Sequence, residues 1–141
     1  WNLVLTDLSR EALENLATAL SVAYDIEVRY HPCDLTDNVS REEMFDQFRK
    51  GRLTFWGLIN VAGLDYEGPF MERTSGQIRN IIRLNIEANL EMTRAILDLR
   101  DETKGFRLIN VSSLASFYPM PIKAIYAASK RFLLDFSLAL R

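Results

Sequence analysis

WGLINVAG, residues 56–63, is a short apolar run that closes on Ala62-Gly63, and FRLINV, residues 106–111, is a second that closes on Ser112-Ser113. Apolar runs of this length, bounded by turn residues, read as buried strands. Between them lies a loop holding Gly68 and Pro69, then a helical stretch over roughly 75–100 whose Ile78, Ile82, Ile86, Met92, Ile96 and Leu99 hold an apolar stripe. Strand, helix and strand at that spacing specify a βαβ crossover and therefore parallel pairing. The pattern extends outward in both directions. NLVLT, residues 2–6, is a strand ending at Asp7, followed by Ser9 as a helix N-cap and by Leu13, Leu16 and Leu20 on the helix. Ile26, Val28 and Tyr30 alternate with polar neighbours as a strand near a sheet edge, which ends at Cys33-Asp34. Ser40 with Glu43 makes a capping box ahead of Met44, Phe45 and Phe48, with Gly51 as the stop. Residues 114–125 contain two prolines, and from Tyr126 a last helix carries Phe132, Leu133, Phe136 and Leu140. The expected fold is α/β, a doubly wound parallel sheet.

Composition narrows the function classes. The 141 residues are 48% hydrophobic and 26% charged, which suits one globular domain and argues against disorder. The 17 basic and 19 acidic side chains leave a net charge of −2, with no footprint for nucleic acid or an anionic membrane. A single Cys33 excludes an internal disulfide framework and fits a reducing compartment. His31 is the only histidine, so no His-based metal cluster or Ser-His-Asp triad can be built, and no metal is expected. With no apolar run near the roughly 18 residues that span a bilayer and no signal peptide, the chain reads as soluble and cytoplasmic. It opens at Trp1 without an initiator Met and stops at Arg141 inside an apolar helical pattern, so a piece of a longer protein is expected.

In open parallel sheets ligands gather at the carboxyl ends of the strands. Here those ends carry Asp7, Asp34, Asn60 to Gly63, and Ser112-Ser113. Tyr126 and Lys130 are four apart on a helix and share a face, and an ammonium beside a phenol favours the phenolate that general acid–base work needs. The same pair also fits an ordinary exposed helix contact. Ser113, thirteen residues before Tyr126 and just past a strand end, can meet the same substrate oxygen. Asp34 also suits a turn or helix cap, and Asp7 also suits the positive end of a helix. Cys33 reads as packing, and Arg49-Lys50 as cations at a helix C-terminus. Phe117, Tyr118, Met120 and Ile122 form either an apolar wall over a substrate site or a loop packed on the core.

INVSS ending at Ser113, YAASK from Tyr126 to Lys130, NVAG from Asn60 to Gly63, CDLTD around Asp34 and RLNIEAN around Asn85 together resemble the short-chain dehydrogenase/reductase family across essentially the whole chain. The resemblance implies a Rossmann-type fold and an NAD(P)-dependent oxidoreductase that interconverts a ketone and a secondary alcohol. It implies Tyr126 as proton donor or acceptor and Ser113 as hydrogen-bond partner of the reacting oxygen. Lys130 would hold the nicotinamide ribose, and Asn85 would support a water chain to Lys130. Asp34 would face the adenine with Leu35 beside it, and Asn60, Ala62 and Gly63 would line the adenosine ribose side. The family usually has a second Asn where this chain has Val61. An acid at the end of the first strand, Asp7, hydrogen-bonds a ribose hydroxyl and repels a 2′-phosphate, so NAD is expected over NADP, although Arg10 nearby could serve a phosphate. SFYPMPIKAIYAASK resembles members acting on fatty-acyl or steroid-like ketones. Family members pair the helices corresponding to 75–100 and 126–141 into a homo-oligomer. A non-catalytic dinucleotide-sensing domain is the alternative, disfavoured by the complete Ser113, Tyr126, Lys130 and Asn85 set. An epimerase or dehydratase is disfavoured by NVAG, with glycine last.

The family's TGxxxGxG turn, which receives the pyrophosphate at a helix N-terminus, does not occur in these residues. It is expected ahead of Trp1 together with a strand central to the sheet, so residues 1–141 are expected to be a partial dinucleotide-binding catalytic domain. The isolated segment is therefore expected to show neither a cooperative melt nor NADH binding, which calorimetry and fluorescence titration check directly.

Overall fold

Two apolar runs near the start of the chain pair in parallel. Strand β1 (Leu3–Asp7) lies beside β2 (Val28–Pro32), with Leu5 opposite Tyr30 and Asp7 opposite Pro32. The structure is a computed structural model that describes residues 1–140. Helix α1 (Arg10–Tyr24) makes the crossover. Ser9 caps it, accepting the Ala12 N–H at 3.2 Å, and Asp25 closes it in the left-handed conformation. Its buried line is Leu13 and Ala17, whereas Leu16, expected on that face, is 48% exposed. Ala17 continues the contact four residues on from Leu13 and leaves Leu16 on the solvent side.

Helix α2 (Asn38–Lys50) buries Met44, Phe45 and Phe48 as expected and ends at Gly51. Its start differs from the Ser40–Glu43 capping box. Asp37 is the N-cap, and its carboxylate accepts the Ser40 N–H at 2.8 Å. The Ser40 backbone N–H, then its hydroxyl, hold the Asp37 carboxyl below the usual carboxylate range. A carboxylate at the positive end of a helix is the stronger cap, which places Ser40 inside the first turn. Residues 1–51 form one compact unit, and residues from 52 onward form a second.

In the second unit β3 (Gly57–Asn60) pairs in parallel with β4 (Arg107–Asn110), Asn60 lying opposite Asn110. The strands come together closely at Gly57, where a Cβ would sit 3.1 Å from the Arg107 carbonyl oxygen. The crossover is helical from Ser75 to Asp98, but it is not one regular helix. It runs as α3 (Ser75–Ile82), a π-helical turn over Arg83–Ala88, and α4 (Asn89–Asp98). The face towards the core is Ile81, Asn85, Ala88, Asn89, Met92, Thr93 and Ile96. Ile82, expected in the stripe, is 43% exposed, while Ile81 is 1% exposed. A stripe read from apolar residues alone misses this face because Asn85, Asn89 and Thr93 belong to it, and the wide turn shifts its phase.

After β4, two short 3₁₀ turns (Leu114–Ser116 and Pro121–Lys123) lead into α5 (Ala124–Ala139). This is the helix expected over 126–141, begun two residues earlier, and Arg141 lies outside the described residues. Leu133 is buried, while Phe132 is exposed and stacks on Phe136 with ring centroids 6.2 Å apart. Both units join parallel strands through helices, which is the α/β class expected. Among the described residues no helix is long and apolar enough to cross a membrane.

Helix α3 carries Asn85 into place, and its start is held by a capping box. Thr74 accepts the Gln77 N–H at 3.2 Å, and the Gln77 side chain accepts the Thr74 N–H at 3.0 Å. Thr74→Ala is expected to lower stability by about 1 kcal/mol, the usual cost of a lost Thr cap, as read from denaturant unfolding of the full-length protein.

Candidate active site

Asn85 is fully buried in the π-turn and uses its amide three times. Its Oδ1 accepts the Leu64 N–H at 2.8 Å. Its Nδ2 donates to the Leu64 carbonyl at 2.9 Å and to Ser129 Oγ at 3.0 Å. The loop after β3 is thereby tied to α5, and Ser129 Oγ in turn donates to the Tyr126 carbonyl at 2.7 Å. Asn89, one turn on, donates to the Leu84 and Asn85 carbonyls at 3.1 Å each, taking up acceptors along the widened turn.

Lys130 stands four residues after Tyr126 and is 3% exposed. Its ammonium donates to the Val111 carbonyl at 2.8 Å and stands 5.8 Å from the centre of the Tyr126 ring. Burial holds its pKa below the ordinary lysine value. Ser112 Oγ donates to the Lys130 carbonyl at 2.8 Å, fixing α5 against the end of β4. Gly63 faces this pair: a Cβ there would lie 3.0 Å from Lys130 Nζ and 3.6 Å from Asn85 Oδ1. A glycine is what leaves the ammonium approachable from the loop.

Ser113 and Tyr126 line one open cleft of about 660 Å³, together with Asp65, Leu114, Ala115, Tyr118, Met120 and Lys123. Ser113 caps the turn that follows it, accepting the Ala115 N–H at 3.2 Å, and its hydroxyl proton is left to point elsewhere. Of the expected apolar wall, Tyr118 and Met120 line the cleft and are joined by Leu114 and Ala115. Ile122 lines a neighbouring hollow with Tyr66 and Arg73, and Phe117 lines neither. A hydroxyl, a phenol and a buried ammonium, grouped beside an apolar wall, can hydrogen-bond a carbonyl oxygen and exchange a proton with it.

The other expected site residues divide by unit. In the second, Ala62 and Gly63 are exposed beyond β3. The Asn60 side chain turns inward instead, donating to Asn110 Oδ1 at 2.9 Å and to Thr93 Oγ1 at 3.2 Å. In the first unit Asp7 is exposed and accepts the Ser9 N–H at 3.0 Å. Its backbone carbonyl accepts the Cys33 N–H at 2.9 Å, which brings the β1 end beside the Cys33–Leu35 turn. Asp34 Oδ1 accepts both the Thr36 N–H at 2.8 Å and the Thr36 hydroxyl at 2.7 Å, a tight aspartate turn. The Leu35 carbonyl accepts from the buried Arg41 at 2.6 Å. Cys33 is buried, and burial, with Asp34 beside it, pushes its thiol up to about 11, which suits packing.

Ser112 was expected among the polar strand ends, whereas Ser129, Asp65 and Lys123 escaped the sequence reading. Ser129 stands beside Lys130, and Lys123 is one helical turn before Tyr126, so adjacency was an available signal. Asp65 lies in a loop with no pattern to mark it.

A family model described as short chain dehydrogenase matches residues 1–141. The very-long-chain 3-oxoacyl-CoA reductase of Anas platyrhynchos is 31% identical over 143 residues, covering 94% of this chain and 44% of the relative. The 17-beta-hydroxysteroid dehydrogenase type 3 of Mus musculus is 29% identical, covering 99% and 46%. The chain thus spans about half the length of the curated relatives it matches. Among solved structures, a short-chain dehydrogenase from Sphingobium yanoikuyae in complex with NADPH superposes with a TM-score of 0.87 at 28% identity, covering 99% of this chain and 54% of that one.

Because burial lowers the Lys130 pKa, the folded state sheds that proton before the unfolded state does, and stability rises with pH through the window between the two pKa values. In Lys130→Met that contribution is gone. The melting temperature of the variant minus that of the wild type is therefore expected to fall as pH rises toward the ordinary lysine value. A difference that grows with pH in thermal melts of the full-length protein contradicts the assignment.

Proposed function

The chain belongs to the short-chain dehydrogenase family, and from that premise we propose that it carries the acid–base set of an NAD(P)-dependent oxidoreductase interconverting a ketone and a secondary alcohol. The observation that carries this reading is the grouping of Ser113 and Tyr126 on one cleft, with the Lys130 ammonium 5.8 Å from the Tyr126 ring.

A nicotinamide dinucleotide fits the residues present. Lys130 has three N–H donors and one protein acceptor, the Val111 carbonyl, so donors are free for sugar hydroxyls. The missing side chain at Gly63 keeps the approach open. When bound, that group supplies or accepts the hydride at the carbonyl carbon. In the reducing direction Ser113 donates a hydrogen bond to the carbonyl oxygen and orients it. Tyr126 gives its phenolic proton to that oxygen as negative charge develops there. In the oxidising direction the phenolate takes the alcohol proton. Lys130 sits beside the ring, its ammonium 5.8 Å from the ring centre. Asn85 touches neither partner. It holds the Leu64 loop and Ser129 in register with the helix that bears Tyr126.

For the cofactor we infer a preference for NAD. Asp7 at the end of β1 is exposed and engaged locally only with Ser9, so its carboxylate is available to ribose hydroxyls and would repel a 2′-phosphate. For the substrate, Leu114, Ala115, Tyr118 and Met120 favour an apolar body beside the reacting carbonyl, of fatty-acyl or steroid-like kind.

Tyr126→Phe in the full-length protein removes the proton and keeps the ring. Turnover is expected to drop by about 100-fold or more while NADH binding persists, as read from stopped-flow kinetics and fluorescence titration. Unchanged turnover removes Tyr126 from the mechanism.

A further inference from the structure

Tyr126 sits in the first turn of α5, and no side chain caps the start of that helix. On its later side the turn is held, since Ser129 Oγ donates to the Tyr126 carbonyl at 2.7 Å and Asn85 holds Ser129. On its earlier side the 3₁₀ turn Pro121–Lys123 runs straight into the helix, and the hold comes from the loop after β3. The Gly68 N–H donates to the Ile122 carbonyl at 2.8 Å. Lys123, the next residue, places its ammonium 2.6 Å from Asp65 Oδ2 and 3.1 Å from Glu67 Oε2. Three attachments thus join residues 65–68 to the two residues that lead into α5. The anchoring segment has its own internal bonds. It continues into the 3₁₀ turn Phe70–Glu72, where the Glu72 N–H donates to the Pro69 carbonyl and the Arg73 N–H to the Phe70 carbonyl, at 3.0 Å each. Asp65 and Lys123 both stand in the wall of the cleft, their side chains 22% and 25% exposed.

We propose that Lys123 is a positioning residue for the reaction: bound to Asp65 and Glu67, it pins the first turn of α5 and so holds the Tyr126 phenol where it meets the substrate oxygen. The proposal rests on the reading of Tyr126 as the proton donor or acceptor. The bond from Asp65, then that from Glu67, holds the Lys123 pKa above the ordinary lysine value, so the ammonium stays charged and the tether stays closed. Helices fray at their ends, and Tyr126, three residues into α5, lies within reach of that fraying. Proton transfer requires the phenol within hydrogen-bond reach of the substrate oxygen. A small displacement of this turn therefore costs rate, while an apolar substrate body still finds its wall. Charge alone does not set Lys123 apart, because the Lys130 ammonium stands as near the ring, at 5.8 Å. What sets it apart is its pair of carboxylate partners on another segment. Lys130 bonds instead to the Val111 carbonyl and leaves the start of the helix unheld.

The test uses the full-length protein with the reduced nicotinamide dinucleotide, held below the enzyme concentration, and neutral apolar ketones in excess, 2-decanone and 2-acetylnaphthalene. Single-turnover oxidation of the dinucleotide gives a limiting first-order constant and a half-saturating ketone concentration. Neither depends on how much of a preparation is folded, so general damage to the fold does not imitate the effect. Lys123→Met is expected to lower the limiting constant by about tenfold, with the half-saturating concentration within about twofold of wild type. Lys123→Arg keeps both ion pairs and is expected to retain at least about half of the wild-type constant. Asp65→Ala is expected to lower it by about threefold or more, Glu67 still holding the ammonium. The double variant is expected to match Lys123→Met, because a tether cut at one end has nothing left to lose at the other. An unchanged constant in Lys123→Met, or an Arg variant as slow as the Met variant, overturns the proposal. A loss confined to the half-saturating concentration overturns it by making Lys123 a substrate contact. A constant that falls in Lys123→Met but holds or rises in Asp65→Ala assigns the effect to the Lys123 charge and overturns it. Recovery in the double variant assigns the effect to a stranded Asp65 carboxylate and overturns it too. Each of these leaves the oxidoreductase reading intact, whereas a wild type that reduces neither ketone overturns that reading and the proposal together.

Discussion

The candidate site hangs on one buried amide. Asn85 satisfies both backbone groups of Leu64 and reaches Ser129, so a single side chain joins the loop after β3 to the helix carrying Tyr126 and Lys130. An amide buried without partners costs more than its hydrogen bonds return, so the surroundings of Asn85 are constrained as tightly as Asn85 constrains them. Gly63 follows from the same geometry. A Cβ there would crowd the Lys130 ammonium at 3.0 Å and rest in contact with the Asn85 oxygen at 3.6 Å.

The π-turn belongs to this arrangement. A regular α-helix from Ser75 to Asp98 would give each backbone carbonyl a partner four residues on. The wide turn at Arg83–Ala88 gives up part of that ladder, and Asn89 recovers some of it by donating to the Leu84 and Asn85 carbonyls. Thr93 then donates to the Asn89 carbonyl, and Asn60 donates to both Thr93 and Asn110. A continuous run of polar side chains thus follows the core-facing side of the crossover, from the candidate site to the carboxyl end of the β3–β4 ladder. Low local dielectric strengthens each bond in such a run and raises the cost of removing any member. Asn60 belongs to it, which is why its side chain points into the core.

The parts legible in the sequence were those governed by short-range pattern. Strand positions, the Ser9 cap, the Gly51 stop and the burial of Phe45 and Phe48 followed from periodicity and turn chemistry. The parts that were not legible depend on contacts distant in sequence. Asp37 takes the cap that Ser40 with Glu43 advertises, because its carboxylate accepts the Ser40 N–H, which starts the helix at Asn38 and leaves Ser40 inside the first turn. The stripe on the crossover misleads by one position at Ile82 because three polar residues share its buried face, and only tertiary partners make a buried Asn or Thr acceptable. Ser113, Tyr126, Lys130 and Asn85 were visible as motifs, but their meeting was not, since residues 85, 113 and 126 lie on three separate elements. Lys123 and Asp65 come together across 58 positions and left no local trace.

The two lysines around Tyr126 show why proximity alone does not assign a role. Lys123 and Lys130 stand at the same distance from the ring, one turn to either side. Lys123 is partly exposed and bound to two carboxylates, so its charge is already spent within the protein and its protonated form is favoured. Lys130 is buried, has a single carbonyl for company and is held below its ordinary pKa by desolvation. A buried ammonium with unused donors is unfavourable in isolation and becomes favourable once new acceptors arrive. The destabilised lysine is thus the one prepared to engage a ligand, and the satisfied one is left to hold the turn that leads into α5. That division follows from which partners surround each ammonium, and Gly63, with no side chain in front of Lys130, leaves the approach to it open.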